Sequence, residues 1–145
     1  MEMVACYIIM GVSGSGKTTV GKLLSDKINV PFFDADDFHS AANKAKMHQG
    51  IPLNDDDRLD WLGRLNNLLK TNTPLSGVIL ACSALKEKYR SILESDVDTP
   101  IYWIVLEGSY ELILNRMQAR KDHYMPAGLL KSQFEAMEFP AYGLH

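Results

Sequence analysis

The segment from Gly11 to Thr18, with the sequence GVSGSGKT, constrains this chain more than any other feature. It matches the pattern G-x-x-x-x-G-K-[ST], in which a glycine-rich loop joins a buried strand to a helix. The continuous apolar run 4–9, with its β-branched residues, predicts the strand. The helix is predicted by the apolar stripe of Val20, Leu23, Leu24 and Ile28. This order of strand, loop and helix predicts a site that binds the phosphates of a nucleoside triphosphate.

The residue types of this loop suit a polyphosphate ligand. Glycines let backbone N–H groups converge on phosphate oxygens, and the helix N-terminus adds a positive potential. Lys17 is predicted to reach the β- and γ-phosphates and to act in catalysis, while the Thr18 hydroxyl is predicted to coordinate Mg²⁺. The predicted nucleotide-binding residues are Gly11, Val12, Ser13, Gly14, Ser15, Gly16, Lys17, Thr18 and Thr19.

Strand and helix patterns alternate along the rest of the chain. Strands are predicted at 31–33, 78–82 and 101–106, and helices are predicted to begin near Ser40, Asn54, Leu85, Ser109 and Pro126. Inward faces are predicted for Trp61, Leu62, Leu65, Leu68 and Leu69, for Leu85, Tyr89, Ile92 and Leu93, for Leu112, Ile113 and Met117, and for Leu129, Leu130, Phe134 and Met137. The alternation predicts an open α/β domain with a parallel sheet. A length of 145 residues predicts one domain over 1–145.

The composition disfavours several classes of partner. A net charge of −3 and a pI near 5.8 argue against general binding of nucleic acid or acidic membranes. The apolar run 3–10 is too short to span a bilayer. Cys6 and Cys82 lie inside apolar runs, as inert core thiols do, which favours a reducing, cytoplasmic location. The four histidines lack metal-ligand spacing.

An acidic cluster follows the second predicted strand. Residues two apart on an extended segment point the same way, so Asp34 and Asp36 are predicted to converge on one site at the carboxyl end of the sheet. One carboxylate would hold Mg²⁺ or its waters, and the other would accept a proton from an attacking hydroxyl. We assign the metal to Asp34 and the proton to Asp36. The alternative is a solvated acidic turn.

Several basic residues stand where an anionic substrate would meet them. Arg58 lies in the first turn of a helix, where its charge opposes the helix dipole. Lys86 and Arg90 form an i, i+4 pair after the third strand, and Arg116 and Arg120 form another in a predicted mobile lid around 116–126. Ordinary surface positions are the competing interpretation for each of them. His39 is equally compatible with a substrate donor and with a surface residue near a helix cap.

Together these residues identify the chain as resembling the gluconate kinase family of small P-loop kinases. The matching blocks run in family order over nearly the whole chain. They are MGVSGSGKTTVG (10–21), FDADDFH (33–39), KMHQGIPLNDDDRLDWL (46–62), ACSALKEKYR (81–90), ARKDHYMP (119–126) and LLKSQFEAME (129–138). Blocks such as GIPLNDDDR and CSALK are far more specific than the phosphate loop alone.

The resemblance implies ATP- and Mg²⁺-dependent phosphorylation of D-gluconate at its 6-hydroxyl, giving 6-phosphogluconate for the pentose phosphate route. It also implies a P-loop kinase sheet of order 2-3-1-4-5 and a homodimer. Substrate-binding roles carry over onto Asp36, Arg58, Lys86 and Arg90, and lid roles in catalysis carry over onto Arg116 and Arg120.

Two departures from the family pattern bear on these expectations. The sequence ends at His145, whereas family members continue through a fifth strand and a last helix, so those two elements are expected to be missing. Asp122 stands where the lid usually has Gly. The alternatives are a catalytically impaired nucleotide-binding isoform and a related kinase for another hydroxy or sugar acid.

Overall fold

The chain folds around a parallel sheet, as seen in a computed structural model. The structure describes residues 4–12, 15–51, 53–84, 86–106, 111–113, 115, 131, 133–135 and 137–138. The strands are β1 (Cys6–Met10), β2 (Phe32–Asp34), β3 (Val78–Ala81) and β4 (Ile101–Val105). The α-helices are α1 (Lys17–Ile28), α2 (Ala41–His48), α3 (Asp55–Ser76) and α4 (Glu87–Glu94), and a 3₁₀ helix spans Ala35–Phe38.

The sheet has the order β2-β3-β1-β4, and all of its pairings are parallel. Cys6 aligns with Val78 on one side and with Ile101 on the other. The predicted α/β class and the order 2-3-1-4 are therefore confirmed for the four described strands. Because all strands run the same way, their carboxyl ends meet at one edge, where ligands bind in open α/β sheets.

The core lies between the sheet and the helices α3 and α4. Alternate residues of β1 and β3 contribute to it, since side chains on a strand alternate between faces. Its members include Cys6, Ile8, Met10, Val78, Leu80, Trp61, Leu62, Leu65, Leu69, Tyr89 and Leu93. The predicted inward face of α3 is thereby confirmed, and α3 also packs directly on α4. Phe134 and Met137 pack against the same core while partly buried.

Two predicted apolar faces are only partly correct. In α1, which packs on β1, β2 and β3, Leu23 is 57% exposed and Ile28 is 39% exposed. The buried position of α1 is Gly21, where a Cβ would lie 2.2 Å from the Phe32 ring. The helix therefore approaches the sheet through its smallest residue, which leaves part of the stripe in solvent. Leu112 is also exposed, while its neighbour Ile113 is buried.

Two of the predicted helix starts, at Ser40 and Asn54, are confirmed by local hydrogen bonds, while the predicted starts near Leu85, Ser109 and Pro126 fall on residues outside the described ranges. The Ser40 side chain accepts a hydrogen bond from the Asn43 N–H and begins α2. Asn54 begins α3 with a capping box, in which its side chain and that of Asp57 each accept from the other's backbone N–H. Such caps are typically worth about 1 kcal/mol. This second cap matters for the site because it defines the helix turn that carries Arg58.

Candidate active site

Two glycines shape the loop between β1 and α1. Gly11 has φ 145°, and a Cβ on it would lie 2.7 Å from the Leu106 carbonyl oxygen and 2.9 Å from Ser15 Oγ. Gly16 has φ 103° and is the residue immediately before α1. Both φ values favour glycine, because they disfavour residues with a side chain. The described part of the predicted phosphate loop therefore has the backbone that such a loop requires. Ser13 and Gly14, also predicted there, lie outside the described residues.

Lys17 lies at the start of α1 and points back into the loop. Its Nζ donates hydrogen bonds to the carbonyl oxygens of Gly11, at 3.0 Å, and Val12, at 2.9 Å. Burial lowers the pKa of Lys17, and the nearby carboxylates of Asp36 and Asp34 act against that shift. The predicted catalytic lysine therefore lies close enough to both predicted carboxylates, at the carboxyl edge of the sheet, for their charges to interact.

Thr18 and Asp34 form a pair of oxygen donors beside this lysine. Thr18 Oγ1 donates a hydrogen bond to Asp34 Oδ2 over 3.4 Å. Hydroxyl and carboxylate oxygens are ligands that Mg²⁺ accepts, with waters and phosphate oxygens completing its octahedron. The described residues contain no group of three or more His, Cys, Asp or Glu side chains arranged for a metal. The hydroxyl and carboxylate oxygens of Thr18 and Asp34 fit a Mg²⁺ ion whose other ligands are waters and phosphate oxygens.

The Ser15 hydroxyl also bears on which ligand the loop fits. Its Oγ is buried and has no hydrogen-bond partner among the described residues. Buried hydroxyls usually have one, and this hydroxyl lies inside the loop, close to Gly11. A phosphate oxygen in the loop would accept its proton. The residues present therefore fit a bound polyphosphate as well as Mg²⁺.

The geometry predicted for the acidic cluster is wrong in one respect. The chain does not stay extended after Asp34, because a 3₁₀ helix begins at Ala35. Asp34 caps this helix by accepting a hydrogen bond from the Asp36 N–H at 3.0 Å. The charges of both carboxylates raise the pKa of Lys17. They are near this lysine because the chain turns after Asp34, not because alternate side chains of an extended strand point the same way. Asp36 is exposed to solvent.

His39 lies at the end of the 3₁₀ helix and is buried. Its ring stacks on Trp61, with 4.2 Å between ring centroids and 15° between planes. The Trp61 indole N–H in turn donates to the Ala35 carbonyl at 2.7 Å, which ties α3 to the 3₁₀ helix. Burial first, and then the cations of Arg58 and Lys44, lower the pKa of His39 to about 4. The imidazole is therefore neutral at pH 7.

Arg58 reaches from the first turn of α3 to α4. Its Nη1 donates to the Leu53 carbonyl oxygen at 2.5 Å and to the Tyr89 hydroxyl at 3.0 Å. Its guanidinium carbon also lies 5.2 Å from the centre of the Tyr89 ring. These contacts explain how a cation is tolerated at a helix N-terminus, where the dipole disfavours it.

Lys86 and Arg90 have different environments despite their i, i+4 spacing. Lys86 is half-buried at the start of α4, with Nζ 3.9 Å from Asp55 Oδ1. Arg90 is 1% exposed and donates hydrogen bonds to the carbonyl oxygens of Ala84, at 2.6 Å, and Glu138, at 2.8 Å. It also pairs with the Glu87 carboxylate at 2.9 Å. These contacts brace the loop before α4, and a direct substrate contact for Arg90 stays a prediction.

No site role was predicted for Tyr89 or Asp55, which the structure places beside the cations Arg58 and Lys86. Tyr89 was predicted only as part of a buried stripe. A tyrosine within an otherwise aliphatic stripe carries a hydroxyl that needs a partner when buried. That requirement was the available signal, although it does not identify the partner.

The predicted lid at 116–126, with Arg116 and Arg120, lies outside the described residues.

Among the helices that the structure describes, none has the length and apolar character to cross a membrane.

Comparison with known proteins gives consistent matches. A family model described as shikimate kinase matches residues 13–139. The chain is 51% identical to the thermosensitive gluconokinase of Escherichia coli strain K12, over 92% of this chain and 72% of that protein. A gluconokinase structure from Sinorhizobium meliloti 1021 superposes with a TM-score of 0.86 at 37% identity, covering 97% of this chain and 79% of that one. A sugar kinase structure from Janibacter sp. HTCC2649 gives 0.87 at 39% identity, covering 97% and 82%.

Proposed function

The chain belongs to the gluconokinase family of shikimate kinase-like P-loop kinases, and from that membership we propose that it phosphorylates D-gluconate with ATP. The product is 6-phosphogluconate, which feeds the pentose phosphate pathway. The enzyme is a phosphotransferase with an alcohol group as acceptor.

The observation that carries the proposal is the convergence of phosphate, metal and acid groups at one sheet edge. Lys17 lies in the phosphate loop, the Thr18–Asp34 pair lies beside it, and Asp36 is close enough to act on the lysine charge. In this arrangement Lys17 neutralises charge on the transferring phosphoryl group. Asp36 accepts the proton of the attacking 6-hydroxyl, whose oxygen forms the new bond to phosphorus as the bond to ADP breaks.

Mg²⁺ and the nucleotide complete the site. Thr18 would bind the ion directly, and Asp34 would bind it directly or through waters; the ion would supply positive charge to the phosphates. The loop residues 11–19 bind the triphosphate, and a phosphate oxygen accepts a hydrogen bond from the Ser15 hydroxyl, which is buried and unpartnered among the described residues. Arg116 and Arg120, in a lid at 116–126, bring further positive charge to the phosphoryl group.

The substrate carboxylate is recognised by cations beside the acid group. Gluconate carries one carboxylate and five hydroxyls, so it needs cationic partners together with neutral donors and acceptors. Arg58 and Lys86 supply the cations, and neutral His39 offers a ring nitrogen to a hydroxyl. Arg90 stabilises this site by donating a hydrogen bond to the Ala84 carbonyl, in the loop that carries Lys86.

The remaining assignments concern the whole protein. Residues 1–145 form one kinase domain, which acts as a homodimer in the cytoplasm. The two cysteines, Cys6 and Cys82, are buried free thiols, which is consistent with a reducing compartment. The net charge of −3 supports a small-molecule partner rather than nucleic acid.

The test is ADP release, measured by a coupled assay with D-gluconate, shikimate and glucose offered separately at saturating ATP and Mg²⁺. We expect turnover with gluconate and at least tenfold less with the other two. Tenfold is about 1.4 kcal/mol of discrimination. The two cations discriminate against glucose, which lacks a carboxylate, whereas discrimination against shikimate, which has one, must come from contacts to the hydroxyls. Turnover of another acceptor in preference to gluconate would contradict the substrate, and ATP binding without any turnover would favour the impaired isoform.

A matched pair of variants separates site residues from surface charge. Arg58→Met removes a cation from the proposed substrate site, and Arg64→Met removes one from an exposed position of the same helix, where Arg64 pairs with Asp60. We expect Arg58→Met to raise the KM for gluconate much more than the KM for ATP. Arg64→Met should leave both within about twofold, since exposed ion pairs contribute little. Equal effects of the two variants would remove Arg58 from the substrate site.

A further inference from the structure

Tyr89 lies between the two cations that the proposed function assigns to the substrate carboxylate. Its side chain is 3% exposed. The Arg58 guanidinium carbon lies 5.2 Å from the centre of its ring, and Lys86 Nζ lies 5.8 Å from the same point. Both distances are within the range in which a cation is attracted to an aromatic face. One buried ring therefore contacts both cations.

The Tyr89 hydroxyl is held in a fixed direction. It donates its proton to Asp55 Oδ1 at 2.6 Å and accepts a hydrogen bond from Arg58 Nη1 at 3.0 Å. Burial, followed by the bond to Asp55, raises the pKa of Tyr89 to about 12, so the hydroxyl keeps its proton. Bonds from Lys88 and then from Tyr89 lower the pKa of Asp55 to about 2, so the acceptor stays ionised.

The hydrogen bonds that link Arg58, Tyr89 and Asp55 decide which edge of the Arg58 guanidinium is left to bind a ligand. Both described hydrogen bonds of Arg58, to the Leu53 carbonyl and to Tyr89, leave from the same nitrogen, Nη1. Within the part of the chain that the structure describes, Nε and Nη2 have no hydrogen-bond partner. These two nitrogens form the planar edge that binds a carboxylate through two parallel hydrogen bonds.

We propose that Tyr89, oriented by Asp55, is a positioning residue for substrate recognition. It anchors Arg58 through Nη1 and thereby presents the Nε–Nη2 edge, with the neighbouring Lys86 ammonium, to the carboxylate of a sugar acid. The proposal rests on the proposed function for the identity of the substrate. The positioning itself is a property of this chain and is testable without turnover.

The kinetic test uses Tyr89→Phe, which keeps the ring and removes only the hydroxyl. We expect the KM for gluconate to rise about tenfold, the scale of one hydrogen bond to a charged group. The KM for ATP should stay within twofold. Asp55→Asn should act in the same direction, and the double variant should be no worse than Tyr89→Phe, because both changes break one chain. The control is Lys88→Met, which removes the exposed cation paired with Asp55 and should leave the KM for gluconate within twofold.

A second measurement keeps the proposal independent of activity. The ¹⁵N relaxation of the Arg58 Nε–H group reports the order of this side chain. We expect an ordered signal in the parent and in Lys88→Met, and a mobile one in Tyr89→Phe. An unchanged Arg58 order in Tyr89→Phe would overturn the proposal, as would an equal rise of both KM values. A parent chain that does not turn over gluconate would instead contradict the proposed function, and the relaxation result would still decide the positioning.

Discussion

Replacing Arg90 by Met should destabilise the protein far more than replacing Lys86 by Met. The two residues are four apart and were predicted to share one role. Arg90 is 1% exposed and supplies the hydrogen bonds that the carbonyl oxygens of Ala84 and Glu138 accept. Lys86 is half-buried, and its described ion pair is a 3.9 Å contact to the half-exposed Asp55.

The size of the effect follows from these partners. Two hydrogen bonds from a charged donor are worth about 1.5–3 kcal/mol each, so losing both costs about 3–6 kcal/mol. The pair with Glu87 adds little, because the Glu87 side chain is 53% exposed and its charge is solvated. Met fills much of the space and removes the cost of burying a charge. The expected loss is therefore about 3 kcal/mol for Arg90→Met and under about 1 kcal/mol for Lys86→Met.

Urea unfolding at pH 7 measures both values as changes in the free energy of unfolding. A loss of about 3 kcal/mol also lowers the Tm of a chain this long by about 10 °C. The KM for gluconate should rank the two variants the other way round. Lys86→Met should raise this KM more than Arg90→Met does, while the KM for ATP stays constant. If Arg90→Met costs less than about 1 kcal/mol and raises the gluconate KM selectively, then Arg90 binds substrate directly and the bracing argument is wrong.

Three further predictions concern individual groups. Lys17→Ala should lower kcat by about 10²–10³-fold, the scale for removing one group that stabilises transition-state charge, with a far-UV spectrum like that of the parent. Asp36→Asn should lower kcat by about 10²-fold, the scale for losing a general base, without changing the Mg²⁺ concentration needed for half-maximal rate; an Mg²⁺ shift there, and none in Asp34→Asn, would exchange the two roles. The folded pKa of His39, about 4, lies below its unfolded value of 6.5, so the unfolded chain binds a proton that the folded chain excludes between these values. The free energy of unfolding should therefore fall as pH drops from 6.5 toward 4, and urea titrations of His39→Gln should show a smaller fall.

Features that depend on neighbouring residues were predictable from the sequence. The phosphate loop needs glycines at set intervals and a lysine at the helix start, and the two hydrogen bonds that Lys17 donates to the loop span only five and six residues of chain. The caps at Ser40 and Asn54 are equally local, because each side chain bonds to a backbone N–H three residues away. The order of the four strands was expected only from the family resemblance, because the alternation of strands and helices predicts a parallel sheet without determining which strands pair.

The substrate side of the site depended on the tertiary structure. Their spacing predicted Lys86 and Arg90 on one face of a helix, but Lys86 precedes α4 and Arg90 lies within it, and packing decides which of the two cations is buried. Tyr89 and Asp55 are 34 residues apart, and no local pattern pairs them. The turn after Asp34 likewise replaced a predicted extended segment. Local spacing determines which groups can bind phosphate because those groups are covalent neighbours. The partners of a buried charge are decided by which helix packs against which, and that is a property of the whole fold.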